Sequence, residues 1–373
     1  MARPAGLYLH LPFCATSCAY CTFVTTTRGE LLPRYMACLR QELEKLGQRA
    51  GRPLVTCYLG GGTPSLVPEA ELAATFQVLD RYFPRLSGAE VTLEANPDDV
   101  TEDKLAFWRT LGVNRVSLGV QSFADPLLRL LARRHDAAQA ARALEACLAA
   151  GFVVNCDLML ALPGLSLGEL EASLEKLLEA RPHHVSLYLL EMDKPHRLAQ
   201  LAARRPELFP SEEAAARQYL YASRRLRQAG YRHYEISNFA LPGYYARHNL
   251  RYWRGGVVLA CGVAAAGQGR SLRFRNTEDL AAYMAAVEAG RSPRVETRRL
   301  LPEDALAEAV MLRLRLAWGA PSPAVEAVAQ ARPAFGQLLE DFRAAGLART
   351  RGGRVALTPK GWLVSNELFA TLV

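Results

Sequence analysis

At 373 residues the chain exceeds what one small core needs, which points to one large domain with an appendage. Half of the residues are hydrophobic and 22% are charged, a globular balance that excludes a disordered or low-complexity chain. The net charge of +8, from 45 basic and 37 acidic residues, is spread over Ala-rich helical stretches, not gathered into a basic block with aromatics, and this argues against a nucleic-acid partner.

No run approaches the roughly 18 apolar residues of a membrane span. The N-terminus runs straight into a strand pattern, so no signal peptide is expected. The 8 cysteines do not space out as a disulfide framework; Cys38, Cys57, Cys147, Cys156 and Cys261 stand singly among apolar residues and read as small buried hydrophobes. Clustered thiols without a secretion signal point to a reducing, cytoplasmic setting.

In chain order, residues 7–11 form a short apolar strand, 31–46 a helix, and 55–59 a strand running into Gly60-Gly61-Gly62-Thr63-Pro64. A helix over 69–83 precedes a strand over 91–93 that ends at Glu94-Ala95-Asn96-Pro97. Thr101 caps a helix running to Leu111. The strand over 115–120 ends at Gln121, the helix over 137–150 is closed by Gly151, and strands over 153–159 and 185–190 flank a helix over 167–180. Six strands alternating with helices imply a parallel sheet with right-handed crossovers. The fold class expected is α/β, a partial (β/α)6 TIM-like barrel, with a doubly wound sheet as the alternative. Beyond residue 211 the pattern gives a long helix, then loops and short strands over 231–269. Residues 300–373 then follow as helix, helix, hairpin and helix, a C-terminal α+β, winged-helix-like domain. Domain limits are expected at 1–235, 236–299 and 300–373.

The chemistry begins at Cys14, Cys18 and Cys21. Three thiolates in one loop can hold three irons of a [4Fe–4S] cluster and leave the fourth open to a small molecule. A zinc knuckle using His10 as fourth ligand is the alternative, although no second ligand pair follows. Tyr20, Phe13 and Phe23 flank the loop and can shield a metal from water or simply pack. The glycines Gly60, Gly61 and Gly62 let backbone approach a ligand closely, and they do not form a nucleotide P-loop. Glu94, Gln121 and Asp157 stand at the ends of the third, fourth and fifth strands, where they can accept from an amine or ribose hydroxyls; Arg133 can pair with a carboxylate.

These residues resemble the radical S-adenosylmethionine (SAM) superfamily, through Cys14, Cys18 and Cys21 with Tyr20 and through Gly60–Pro64. Within it the chain is similar to the HemN/HemW group of oxygen-independent coproporphyrinogen III oxidase-like proteins. The similarity is carried by Leu9-His10-Leu11-Pro12-Phe13-Cys14, Gly119-Val120-Gln121-Ser122-Phe123, Leu162-Pro163-Gly164 and Tyr234-Glu235-Ile236-Ser237-Asn238-Phe239, among others, and spans nearly the whole chain. The resemblance implies a SAM site lined by Tyr8, Gly61, Gly62, Thr63, Glu94, Gln121, Arg133 and Asp157, with reductive cleavage of SAM at the cluster. Only 13 residues precede Cys14, and Phe23 stands where the oxidase has a fourth cysteine; both point away from the oxidase and towards the heme-chaperone branch. His248-Asn249-Leu250-Arg251-Tyr252-Trp253 is similar to that branch's H-N-x-x-Y-W segment, which implies heme contact by His248, Tyr252 and Trp253. Ala266 replaces a histidine usual in the group. The expected function is therefore heme binding and transfer to an acceptor protein, with an electron donor for the cluster and weak membrane association through a membrane-bound acceptor. The alternative is a radical SAM enzyme that decarboxylates or methylates a tetrapyrrole.

Overall fold

The computed structural model describes residues 4–372. The strands are β1 (Ala5–Leu11), β2 (Leu54–Gly61), β3 (Arg85–Ala95), β4 (Arg115–Gln121), β5 (Val153–Leu160), β6 (His184–Leu189), β7 (Arg232–His233), β8 (Asn238–Ala240), β9 (Val258–Cys261), β10 (Ala266–Gln268), β11 (Leu272–Asn276) and β12 (Arg294–Arg299). The helices beside them are α1 (Leu32–Ala50), α2 (Glu69–Tyr82), α3 (Glu102–Thr110), α4 (Asp125–Leu130), α5 (Ala137–Ala149), α6 (Leu167–Ala180), α7 (Arg197–Arg204), α8 (Glu212–Gln228), α9 (Arg247–Trp253) and α10 (Leu280–Glu288).

β1 to β6 are parallel and lie side by side in chain order. That sequential order is the order of a barrel; a doubly wound sheet reverses direction at a switch point, and this one does not. The strands are apolar runs because helices cover one face and the barrel interior the other. Leu7, Leu9 and Leu11 of β1, for example, are all buried. In place of two further strand–helix units, β9 returns to pair in parallel with β1 and carries the antiparallel β10, β11 and β12, while β8 and β7 pair antiparallel beyond β6. The result is one open sheet of 12 strands.

Local chemistry sets the helix ends. The Thr101 hydroxyl accepts from Lys104 N at 3.3 Å, and Ser166 with Glu169 forms a capping box on α6. The five single cysteines are buried and unpaired, as their apolar surroundings imply.

The C-terminal unit comprises α11 (Pro302–Leu314), β13 (Ala320–Pro321), α12 (Ser322–Ala331), α13 (Pro333–Ala344), β14 (Ala348–Arg351), β15 (Arg354–Leu357), α14 (Pro359–Leu363) and α15 (Ser365–Ala370). It has its own core around Val310, Phe335 and Trp362. Gly352 and Gly353, at φ +57° and +69°, make the tight turn of the β14–β15 hairpin, as their pairing predicts. The single last helix expected from sequence is two, broken at Val364. Residues 247–253, expected as loop, are helical; His, Asn, Tyr and Trp are poor helix formers, and packing inside the barrel overrides that preference.

Candidate functional site

The loop that follows β1 folds across the C-terminal ends of the parallel strands. It is tied down by backbone: Cys14 N donates to Thr26 O at 2.9 Å, Thr26 N to Pro12 O at 2.8 Å and Ala19 N to Leu131 O at 3.0 Å. The half-buried Cys14, Cys18 and Cys21 open onto a cavity of about 340 Å³. Gly61, Gly62, Thr63, Glu94, Gln121, Arg133 and Asp157 line the same cavity. Tyr8 does not. It lies one layer deeper, with its hydroxyl 3.0 Å from His10 Nδ1 and its ring beside Tyr58.

The glycines serve close approach. A Cβ on Gly62 would stand 2.6 Å from both Leu11 O and Pro12 C, and Gly61 has φ +107°. Free of side chains, this turn is stitched to the cysteine loop: Gly62 N donates to Leu11 O and Thr63 N to Phe13 O, each at 2.8 Å. The Thr63 hydroxyl then reaches Cys14 Sγ at 3.4 Å. His10 is fully occupied, Nδ1 with Tyr8 and Nε2 with Val24 O at 2.9 Å, so it is not the fourth ligand of a zinc knuckle.

Arg133 supplies the cavity's buried cation. Its guanidinium donates to Cys18 Sγ at 3.3 Å, Asn96 Oδ1 at 2.5 Å and Gly119 O at 2.6 Å. Burial pushes the Cys14 thiol up to about 11, opposed by the Thr63 hydrogen bond. Glu94 accepts from Tyr58 OH at 2.6 Å and from Gly61 N at 3.0 Å. Burial nonetheless lifts its pKa to about 7. Burial also raises Asp157, against hydrogen bonds from Ser186, Asn155 and Ser117. Burial disfavours the charged form of both carboxylates, and a cationic ligand group beside them would offset that cost, because an adjacent positive charge favours the charged carboxylate.

Among the described residues no three His, Cys, Asp or Glu side chains converge on one point as ligands of a single ion would. Three cysteines around one cavity suit a cluster, whose irons are spread apart and take one thiolate each. Of the flanking aromatics, Phe13 packs edge-on against Tyr35, and Phe23 stands 70% exposed at the mouth.

The segment 248–253 lies elsewhere. His248 Nδ1 is 3.0 Å from the hydroxyl of Thr56, five residues before Gly61 and so about 16 Å along β2 from the cavity. α9 plugs the N-terminal end of the barrel. Glu90, at the start of the buried part of β3, accepts from Arg247 N at 3.0 Å and His248 N at 2.8 Å. The His248 ring is buried against Tyr8, Tyr58 and Tyr252; its Nε2 has no partner among the described residues. The Trp253 ring lies under the Arg315 guanidinium. Ala266 is exposed in β10 and does not line the cavity.

Comparison with known proteins gives this geometry a family. The model of the Radical SAM superfamily matches residues 8–177, and that of the HemN C-terminal domain matches residues 300–364. Over its whole length the chain is 36% identical to a Heme chaperone HemW of Mycobacterium tuberculosis, covering 95% of that protein. It is 31% identical to the Heme chaperone HemW of Bacillus subtilis, covering 98% of each. The chain belongs to the HemW family of radical SAM proteins. Its fold is also that of the coproporphyrinogen III oxidase (HemN) from Escherichia coli, with a TM-score of 0.87 at 23% identity over 99% of this chain and 90% of that one.

Sequence reasoning missed Asn96 and Ser117, which line this HemW-family cavity, and Tyr58 and Asn155, which stand behind it and hold its carboxylates. Asn96 lies just past Ala95, the last residue of β3, and orients Arg133; its place in a strand-end segment was the available signal. Tyr58 sits inside β2, where an aromatic in an apolar run reads as core, yet its hydroxyl fixes Glu94. Ser117 and Asn155 lie mid-strand and become visible only once β4 and β5 are in register, where Asn155 Nδ2 reaches both Ser117 Oγ and Asp157 Oδ1 at 2.7 Å.

Proposed function

We propose that this HemW-family chain holds a [4Fe–4S] cluster on Cys14, Cys18 and Cys21, binds SAM beside it, and carries heme to an acceptor protein. The observation that carries the first part is that the three thiols, the Gly61–Thr63 turn, two carboxylates and Arg133 share one cavity. Bound there, the cluster would supply one-electron reduction of SAM. The chain's own residues bind and orient: Gly61, Gly62 and Thr63 present close backbone, and Glu94 and Asp157 accept from amine and hydroxyl groups. Gln121 offers an amide, and Arg133 keeps a positive charge against Cys18. Tyr8 supports this shell through His10.

Heme handling is supported by the full-length likeness to proteins named heme chaperones. With α9 seated, His248 is enclosed by tyrosines, so ligation of heme through its unpartnered Nε2 needs the helix to leave the barrel end. Tyr252 and Trp253 would then be freed with it to pack on the macrocycle. The reading also includes an electron donor, a cytoplasmic setting, and an acceptor that is membrane-bound, through which any membrane association arises. No helix among the described residues is long and apolar enough to cross a membrane. Residues 300–373 form the C-terminal domain of this scheme, and 236–299 connect it to the radical SAM core of residues 1–235.

The test is a heme titration of the anaerobically reconstituted chain, with iron, sulfide and SAM binding measured on the same sample. Saturable heme binding and a cluster lost in Cys18→Ala are expected. Absence of saturable heme binding, or conversion of coproporphyrinogen III to protoporphyrinogen, overturns the chaperone reading. Unchanged iron content in Cys18→Ala overturns the cluster assignment.

A further inference from the structure

We infer that a second cavity, walled by α1 and the turn between α10 and β12, binds a small organic dianion. It encloses about 290 Å³ and lies apart from the cysteine loop, sharing no lining residue with the first cavity. Lys45 and Arg49 reach it from the last turns of α1, Arg291 and Arg294 from the turn. The Lys45 ammonium lies against that turn, since a Cβ on Gly290 would be 3.7 Å from its Nζ. Arg294 is fixed, its guanidinium 3.8 Å from the centre of the Phe274 ring.

Among the described residues none of these four side chains has an ion-pair partner or donates a hydrogen bond. The nearby arginines do: Arg34 pairs with Glu288, Arg273 with Glu308, and Arg275 with Glu278 and Glu296. The local carboxylates are therefore spent elsewhere. The cavity's own carboxylate, Glu42, is also engaged. It takes Tyr283 OH at 2.7 Å, and Gly262 N and Asn276 Nδ2 at 2.8 Å each.

Arg49 in the last turn of α1 and Arg291, three residues past the end of α10, lie near helix C-termini, whose dipoles offset part of the cavity's positive charge. A helix C-terminus carries about half a negative charge. Two such ends and an ionised Glu42 offset about two of the four cations and leave about two positive charges unbalanced. That excess suits a dianion presenting phosphoryl or paired carboxylate oxygens, to which an arginine fork donates two N–H bonds at a time. Leu46, Val287 and Ala260 give the cavity apolar lining for a carbon body. Its size, at the small end of the range of about 300–1,000 Å³ for ligand pockets, suits a small molecule better than a dinucleotide.

The experiment is calorimetric titration of the full chain at low salt with glycerol 2-phosphate, succinate and acetate, repeated with the Arg49→Gln/Arg291→Gln variant. Both substituted side chains are exposed and without partners, so the melting temperature should hold. The expected result is saturable binding of one or both dianions, weakened about tenfold or more in the variant and by added salt, with acetate far weaker. Binding of the phosphate ester alone assigns a phosphoryl ligand; binding of succinate alone assigns a dicarboxylate. No saturable binding of either dianion at millimolar concentration, or equal binding by wild type and variant, overturns the site.

Discussion

The Tyr58 ring stacks on the His248 imidazole, centroids 5.1 Å apart and planes 30° from parallel, while its hydroxyl donates to Glu94 at 2.6 Å. One side chain thus touches both the plug at the bottom of the barrel and the carboxylate at the top. Tyr58→Phe keeps the stack and removes the hydrogen bond. Loss of a hydrogen bond to a charged group costs about 1.5–3 kcal/mol, so SAM affinity should fall about tenfold or more with iron content unchanged. Equilibrium dialysis with labelled SAM on reconstituted protein checks this, and unaltered affinity would remove Glu94 from the ligand shell.

Gly62 has no room for a side chain. A Cβ there meets the backbone of Leu11, Pro12 and Phe13 at 2.6–2.9 Å, none of which can turn aside. Gly62→Ala should prise the glycine turn from the cysteine loop, cost about 1–3 kcal/mol, and lower iron retention after reconstitution. Gly88→Ala is the control. Its φ of +70° carries strain, but nothing lies within 4 Å, so stability should drop by about 1 kcal/mol with full iron content.

Arg133 places a buried positive charge against Cys18. A nearby cation favours the reduced, more negative cluster. At an effective dielectric of 20 and a separation of about 6 Å, the interaction is worth about 3 kcal/mol, or on the order of 100 mV for one electron. Arg133→Met should therefore lower the reduction potential, and Arg133→Lys should restore part of it. A potentiometric titration followed by electron paramagnetic resonance gives the answer, and equal potentials in all three proteins would contradict it.

Burial lowers the His248 pKa to about 3. In the unfolded chain it titrates near 6.5. Below that pH the unfolded state takes up a proton that the native state refuses, so stability falls as pH falls, by about 1.4 kcal/mol per unit between 6.5 and 3. Glu235, buried and raised to about 7, acts with the opposite sign. The folded chain keeps a proton that the unfolded chain loses above about 4.3, so stability falls as pH rises towards 7. Urea unfolding at pH 7 and pH 5.5 should show a shallower acid loss in His248→Gln than in wild type, and a shallower loss towards neutral pH in Glu235→Gln. Parallel curves would mean that these groups are not buried as described.

The barrel was legible in sequence because apolar strands and helical periods alternate cleanly through Leu189, and because the polar residues fall at strand ends. Cys14, Cys18, Cys21 and the glycines announced themselves by type and spacing. What stayed hidden depends on three-dimensional closure. β9 pairs with β1 across some 250 residues, and no local pattern marks that return. α9 gains its shape from Glu90 and the tyrosines around it, not from its own propensities. Tyr8 was expected in the cavity only because the family resemblance implies it. It points instead into the barrel interior, where its hydroxyl holds His10.

Gln121 holds φ +68° at the end of β4, where the pairing with β5 slips out of register. A left-handed backbone costs a residue with a side chain about 1–2 kcal/mol, and glycine avoids the cost. Gln121→Gly should therefore make the ligand-free chain more resistant to urea and a poorer binder of SAM. If both changes appear together, this strand end is a place where the chain gives up durability to keep one amide facing its guest. Selection for hardiness alone would be expected to erase it.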